Sequence, residues 1–433
     1  MAVSVALLVV LSAGLGLWVR ARLPSDEQLA SEIAARFEQA SGIGLRIGAA
    51  HWALRPSPVI ELMEVATAQA RPITVRHIVV RPRLASLWRR KVAIEEVAVS
   101  GAVLPSASVR AFRGRWEGGD TAVALAGGWA LTEVPVETLR LRDISWIDWR
   151  DIALAYDVDL RFDRHWRPRE GEIRRPGVSP PASLRVEREG EDDRWRTLIE
   201  VGGGTWNGTT RLEADNDGRM RLTATLAAKS VELTQFLRAF GRHSAVEGKM
   251  NGPTEVNAEA ANVGDLIRHL HTRTRFTIAP AMLTGFDLAK AVTAPASARG
   301  GQTRLDTLTG TLDTQSTDNG VILRYSQLKA RSGVLTASGA ATVLNRKLDG
   351  EAAVDIVDGV VGVPLKLGGT LDAPVLSLTG AALAGAAVGT AVLPGVGTAI
   401  GARVGQAMDK LLGPDDAKPS RKPPTPGKAP AKR

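Results

Sequence analysis

Apolar and polar side chains alternate along most of this chain with the two-residue period of a β-strand. The clearest stretch is IALAYDVDLRF at 152–162, where every second residue is large and apolar and Asp157, Asp159 and Arg161 stand between them. Because successive side chains of a strand point to opposite faces of a sheet, this stretch predicts one apolar and one polar face. The apolar face would hold Ile152, Leu154, Tyr156, Val158, Leu160 and Phe162.

Similar segments follow one another from the region of residue 45 to residue 378, with glycine and proline between them. Turn residues at 216–218, at 318–320 and at Asp349-Gly350 predict hairpins. Roughly 300 residues of this pattern are too many for one small barrel. They favour a mainly β fold, an elongated and curved antiparallel sheet that forms a groove. Its apolar face must be hidden by curling, by a packed helix or by an apolar ligand.

A short amphipathic helix is predicted at about 26–41, ahead of the first strand. Ser25 and Gln28 form a capping-box pattern, and Gly42 suits a helix end. Two weaker helical patterns interrupt the later strands, at 230–241 and at 262–271, and we interpret both as elements that pack on the sheet. The apolar stripe of the first helix consists of Leu29, Ile33 and Phe37.

The chain begins with MAVSVALLVVLSAGLGLW, which contains no charged residue. The run is close to the shortest that crosses a bilayer, and it predicts a transmembrane signal anchor at 1–22. A cleaved signal peptide is the alternative. Arg20 and Arg22 follow the run, which opposes the usual charge bias for an exported C-terminal part. The anchor residues are Val5, Leu8, Leu11, Leu15 and Trp18.

The C-terminal part holds a second uncharged run, rich in glycine and alanine, which Pro394-Gly395 divides. It predicts a helical hairpin at 381–413. Three interpretations stay open: a hairpin that closes the end of the sheet, a hairpin that contacts the membrane surface, and a full membrane span. The last segment, 414–433, is basic and rich in proline, and it predicts a disordered tail.

Charge and motif content restrict the function. The net charge is +9, but the tail holds six Lys or Arg against two Asp, so the rest is only mildly basic and gives no nucleic-acid footprint. Cysteine is absent. His269 and His271 diverge if they lie on a helix. The glycines at 202–204 lack the Lys-Ser/Thr ending of a phosphate loop. We therefore predict no catalytic residues, no cofactor and no metal site. The many tryptophans favour sheet packing over a glycan platform.

Two sets of segments resemble the AsmA family of envelope proteins. The first is the order of anchor, short helix and FEQASGIGLRIGAAHWALRPSPVIELMEVATA at 37–68. The second is MLTGFDLAKAV (282–292), TRLDTLTGTLDTQ (303–315), residues 318–354 and VPLKLGGTLDAPVLSL (363–378), in the order of the family's C-terminal domain. A departure is Leu305, where the family pattern has phenylalanine. The resemblance divides the chain into an N-terminal-like region at 23–230 and a C-terminal-like region at 231–380.

The resemblance implies a single-pass protein of the Gram-negative inner membrane, with most of the chain in the periplasm. It implies a role in outer-membrane biogenesis, without catalysis, in which an apolar β-groove binds or transfers lipid. The expected partners are phospholipid or another acyl-chain lipid, the inner membrane and other envelope proteins, but no nucleic acid. The alternative is a structural module that tethers envelope assembly machinery without carrying lipid.

Overall fold

A computed structural model of the chain describes residues 25–378 with thirteen short gaps. The predicted anchor at 1–22, the predicted hairpin at 381–413 and the tail at 414–433 lie outside these residues. Among the residues that are described, no helix is both long and apolar enough to cross a membrane. The gaps are 54–56, 84–90, 113–129, 149, 164–167, 215–218, 262, 286, 289–299, 318–319, 334, 357–359 and 372.

Helix α1 (Asp26–Ser41) has the limits that the sequence predicts. The Ser25 hydroxyl accepts a hydrogen bond from the Gln28 backbone amide, and the Gln28 side chain accepts one from the Ser25 amide. Gly42 ends the helix in the left-handed conformation, at φ 65°. The stripe Leu29, Ile33 and Phe37 is buried against the sheet.

In the part of the chain that the structure describes, twenty strands form one sheet, which confirms the prediction of a mainly β fold built on one long, curved sheet. The first ten strands are β1 (Leu45–Ala53), β2 (Val59–Thr67), β3 (Thr74–Pro82), β4 (Lys91–Pro105), β5 (Ala130–Ile147), β6 (Ala153–Phe162), β7 (Pro168–Arg174), β8 (Ser183–Arg188), β9 (Arg194–Val201) and β10 (Gly204–Ala214). The second ten are β11 (Met220–Glu232), β12 (Val246–Ala260), β13 (His271–Thr284), β14 (Gln302–Leu305), β15 (Thr307–Thr317), β16 (Gly320–Ser332), β17 (Leu335–Leu344), β18 (Lys347–Ile356), β19 (Val360–Thr370) and β20 (Ala373–Leu378).

Strands that are neighbours in sequence are neighbours in the sheet, so the topology is a long meander. The short strand β14 pairs with one end of β13, and β15 pairs with the rest of it. The prediction of a purely antiparallel sheet needs one correction, because β4 and β5 run parallel. Parallel neighbours need a long crossover connection, of which the structure describes residues 106–112. The predicted boundary at 230 and 231 falls within β11, where the sheet is continuous.

Bulges bend several strands. The register shifts between Leu141 and Ile144 in β5, and between Ala228 and Val231 in β11. Asp143 and Ser230, the residues inside these shifts, have φ of 54° and 53°. An extra residue on one strand kinks the ladder and increases its twist. The curvature of the sheet therefore has a local cause in these strands.

Three short helices complete the described fold: α2 (Ser106–Arg110), α3 (Leu233–Ala239) and a 3-10 helix (Val263–His269). The helical pattern at 230–241 is thus partly confirmed, but Ser230 lies in the β11 bulge and does not cap the helix. The pattern at 262–271 forms a 3-10 helix rather than an α-helix, and His271 belongs to β13.

The turn predicted at Asp349-Gly350 is wrong. These residues lie inside β18, and the hairpin between β17 and β18 turns at Asn345 and Arg346, whose φ values are 49° and 69°. A Cβ at Gly350 would lie 2.5 Å from the Ala340 carbonyl oxygen. That glycine therefore serves close packing between strands and not a turn.

The chain has two large cores. The first joins α1 to β1–β5 and includes Phe112, whose ring lies 5.9 Å from the ring of Phe37. The second joins α3 to strands between β8 and β19 and includes Val231, Ile278 and Leu365. Strands β6–β8 lie between the two cores.

Candidate functional site

One row of apolar side chains crosses the first nine strands on a single face of the sheet, which we call the inner face. Each residue of the row lies directly opposite the next in the strand register, and directly opposed residues share a face. We call this set the apolar row. From β1 to β9 it consists of Ala50, Leu62, Ile78, Val99, Leu141, Val158, Ile173, Leu184 and Ile199.

Exposure changes along the apolar row. Leu62 and Ile78, at the α1 end, are 0% exposed because the helix covers them. From Val99 onward the side chains are only half-buried, and Ile173 reaches 37% exposure. The inner face therefore holds a half-open apolar region on β4–β9, which we call the open region.

The inner face closes again from β9 onward, where Trp195, Thr197 and Val201, on the same face as Ile199, are buried. Trp206 on β10 packs its ring 6.1 Å from the ring of Phe236 on α3. Its indole Nε1 donates to the Thr254 hydroxyl at 3.0 Å, and Thr254 shares a hydrogen bond of 2.9 Å with Thr274. At these positions hydrogen-bonded threonine hydroxyls stand where the apolar row has aliphatic side chains. The apolar surface of the open region therefore ends at the hydrogen bonds between Trp206, Thr254 and Thr274.

The predicted groove residues lie on or next to β6, in the middle of the open region, and all six are half-buried. Leu160 and Phe162 pack against the first core. At the other end, a Cβ on Gly241 would lie 3.0 Å from Ile152 Cγ2 and 3.8 Å from Leu154 Cδ2, so the segment after α3 packs there. Tyr156 and Val158 occupy the middle of the strand. Whether these residues bind lipid stays a prediction.

One ion pair, between Arg242 and Asp148, connects the segment after α3 to the segment before β6, and we call it the strap. Arg242, just after the helix, forms an ion pair with Asp148 at 2.9 Å. The other Asp148 oxygen accepts hydrogen bonds from the backbone amides of Arg150 and Ile152, at 2.8 and 3.0 Å. Asp148 is a mostly buried carboxylate, 13% exposed at its side chain. This contact holds the second core against the edge of the open region.

The open region has an edge at each end of its strands, where turns connect one strand to the next. We call these two edges the rims. At the first rim, where β5 and β7 end, the inner face carries Arg175, which follows Ile173 by two residues. The Arg175 guanidinium lies 5.0 Å from the centre of the Tyr156 ring and 5.8 Å from that of Phe240. Its Nε donates to the Ala155 carbonyl at 2.9 Å, and Nη1 donates to the Ala239 carbonyl.

The second rim, where β6 and β8 end, carries Arg188 on the same face. Arg188 is only 6% exposed and forms ion pairs with Asp163 and Asp193. Its guanidinium lies 5.9 Å from the centre of the Trp195 ring. Asp193, in the turn before β9, is therefore held by an ion pair.

Ion pairs cover the outer face of the same strands. Asp159 binds Arg142 at 2.6 Å and Arg174 at 3.4 Å. The hydrogen bond to Asp159 is the main cause that raises the pKa of the Arg142 guanidinium above its ordinary value. Glu172 pairs with Arg185 in the same way. The β4–β9 sheet is thus apolar on one face and charged on the other, as the alternation predicts.

The described residues contain no group of three or more His, Asp and Glu side chains that could hold a metal ion. His271 lies on β13 and pairs with Asp313 at 3.6 Å. Gly202 and Gly203 form the β9–β10 turn, with φ of 57° and 68°. Both features have a structural role.

Several residues of the open region have no signal of their own in the sequence. Strand β7, PREGEIR, contributes a single large apolar residue, Ile173. Arg175 is one of many arginines, and only the register with β6 places it on the inner face. No protein-family model, no curated protein and no solved structure matches this chain.

Proposed function

We propose that this chain is a non-enzymatic lipid-binding protein that holds acyl chains on the open region. The observation that carries the proposal is the unbroken apolar row, covered by α1 at one end, closed at the other, and half-exposed at Val158, Ile173 and Leu184 between them. Apolar area left in water is unfavourable, and each CH₂ group of a bound chain would contribute about 0.8 kcal/mol on burial.

The size of the open region suits such a ligand. Strands lie about 4.8 Å apart, so the six strands β4–β9 extend about 24 Å across the sheet. One leaflet of a bilayer has an apolar layer of about 15 Å, half of the hydrocarbon core. An acyl chain therefore fits within the open region without leaving it at either end.

The location and wider role belong to the same proposal. A signal anchor at 1–22 places the chain on the inner membrane with the sheet in the periplasm, and the AsmA resemblance supports a role in outer-membrane biogenesis. A lipid carrier needs an apolar surface shielded on one side and a polar surface toward water on the other. The ion pairs of the outer face supply the second surface.

Photo-cross-linking in intact cells tests the proposal directly. Benzoylphenylalanine placed at Ile173 should cross-link to lipid, because this side chain lies on the inner face and is 37% exposed. The matched control is the same residue placed at Arg174, its neighbour on the same strand, whose side chain is 46% exposed on the outer face. Mass spectrometry of the purified full-length protein then identifies each adduct.

The expected result is a lipid adduct at position 173 and none at position 174. Equal yields at the two positions would mean non-specific contact with membrane. The absence of lipid at position 173, with protein adducts in its place, would favour the alternative function of a tether for envelope assembly machinery.

A further inference from the structure

Two arginines lie on the inner face at opposite rims of the open region, and their surroundings differ. Ion pairs with Asp163 and Asp193 neutralise the positive charge of Arg188, so Arg188 leaves no unpaired positive charge at the second rim. Arg175 makes no ion pair with any carboxylate of the described residues. Its hydrogen-bond partners are two main-chain carbonyl oxygens, those of Ala155 and Ala239.

The carboxylates on the neighbouring turn and on β6 already have other partners. Asp157, directly opposite Arg174 on the outer face, accepts a hydrogen bond from the Asp143 backbone amide at 3.0 Å. The turn before β6 contains Asp148 and Asp151, which pair with Arg242 and Arg71 respectively. On the outer face, Asp159 pairs with Arg142 and Arg174. The positive charge of Arg175 is therefore left at the first rim, beside an apolar surface.

The guanidinium is held in position but retains donors. A guanidinium has five N–H groups in a planar fork, and the two carbonyl bonds use two of them. The Tyr156 and Phe240 rings fix its plane. The remaining N–H groups match the oxygens of a phosphate, which an arginine binds through parallel charge-assisted hydrogen bonds.

We propose that Arg175 binds the headgroup phosphate of a phospholipid whose acyl chains lie on the open region. This inference rests on the proposed function and adds the residue that binds the headgroup and the direction of the lipid, with the phosphate at the first rim. Ile173 lies two residues before Arg175 on the same face, about 7 Å away along the strand, which places the first acyl carbons next to the apolar row.

The test uses the full chain with benzoylphenylalanine at position 173, reconstituted in phosphatidylethanolamine vesicles. The vesicles contain a trace of fluorescent phosphatidylglycerol or of fluorescent diacylglycerol with the same acyl chains. The cross-linking yield with each lipid gives a headgroup preference. The native Arg175 chain should prefer phosphatidylglycerol by about tenfold, the effect of one charge-assisted interaction.

Three variants separate phosphate binding from a purely structural role. Arg175→Gln should bring the preference to near one, whereas Arg175→Lys, which keeps the charge but loses the planar fork, should retain part of it. Arg174→Gln is the matched control, since it removes the same charge from the outer face, and it should leave the preference unchanged.

An unchanged preference in Arg175→Gln would overturn the inference and leave the proposed function standing. An equal loss of both lipids in the Gln and Lys variants would also overturn it, because Arg175 would then only fasten α3 to β6. If the native chain cross-links to neither lipid, the proposed function itself fails.

Discussion

The inner face of this sheet has two regions that differ in what covers them. Along the apolar row, the side chains on β4–β9 are half-buried, and Ile173 is 37% exposed. In the second core, side chains of β18 and β19 are almost fully buried, with Leu365 at 0% and Val354 at 1% exposure. The same alternation of residues thus produces an open surface in one place and a filled core in the other.

The difference arises from segments that fold onto the sheet. Leu288 follows β13 and is buried in the second core, where its amide donates to the Thr303 hydroxyl at 3.0 Å. Gly285, in the same connection, approaches Pro374 on β20, and an added Cβ would lie 3.4 Å from its ring. Of the connections of β6–β8 that the structure describes, the one at 175–182 packs Val178 and Ala182 against the second core and leaves Ile173 37% exposed, and the one at 189–193 is a short turn. Connections therefore decide whether an apolar face becomes a core.

The largest expected effect tests this difference with one substitution in each region. Leu365→Ala should destabilise its part of the sheet by about 2–5 kcal/mol, because a buried leucine leaves a cavity. Leu184→Ala, on the open region, should cost about 1 kcal/mol, since it removes a side chain that is already partly in water. Amide hydrogen exchange, measured separately for β19 and β8, gives the two values. Equal values would show that the open region is as closed as the core.

A feature of the fold or of the site could be predicted from the sequence when it arises from residues close together in the chain, and could not when it arises from the pairing of strands. Helix α1 and its capping box follow from contacts within four residues, and β6 follows from its own alternation. The position of Arg175 depends on the pairing of β6 with β7, which no local pattern encodes. Gly350 is misleading for the same reason, because its role is set by the strand beside it and not by the turn preference of Asp349-Gly350.

The next prediction concerns the strap between the two regions. Asp148→Ala removes two hydrogen bonds and an ion pair from a carboxylate that is 13% exposed, and it should weaken the contact between α3 and β6 by about 1.5–3 kcal/mol. Asp151→Asn is the control, because Asp151 has φ of 60° and asparagine tolerates this left-handed conformation while removing the charge. The Asp151 side chain is 69% exposed beside Arg71, and an exposed ion pair contributes about 0–1 kcal/mol.

Hydrogen exchange in α3 and at the start of β6 measures this effect. Faster exchange in both segments for Asp148→Ala, and unchanged exchange for Asp151→Asn, is expected. If neither variant alters α3, the helix is held by its other contacts, among them Phe236, Phe240 and the hydrogen bond from Arg175 to the Ala239 carbonyl, and the strap has no role in separating the open region from the core.

The smallest expected effect concerns the two tyrosines of the chain. Tyr156 lies on the open region, and Tyr325 packs against the second core. Burial raises the pKa of the Tyr325 phenol above its ordinary value of 10.0. Above pH 10 the unfolded chain therefore loses this proton more readily than the folded chain does. The stability contributed by the neutral phenol is complete below pH 10 and decreases as the pH rises from there toward the folded-state pKa.

Tyr325→Phe should remove this part of the alkaline loss, and Tyr156→Phe should leave it in place because Tyr325 is still present. The measurement is the unfolding free energy of the native chain and both variants between about pH 9 and about pH 11. The quantity compared is the difference in unfolding free energy between Tyr325→Phe and the native chain at each pH, because contributions from all other groups are common to both chains. An identical pH dependence in all three chains would mean that the Tyr325 phenol reaches water, and that the β15–β17 part of the inner face is open as well.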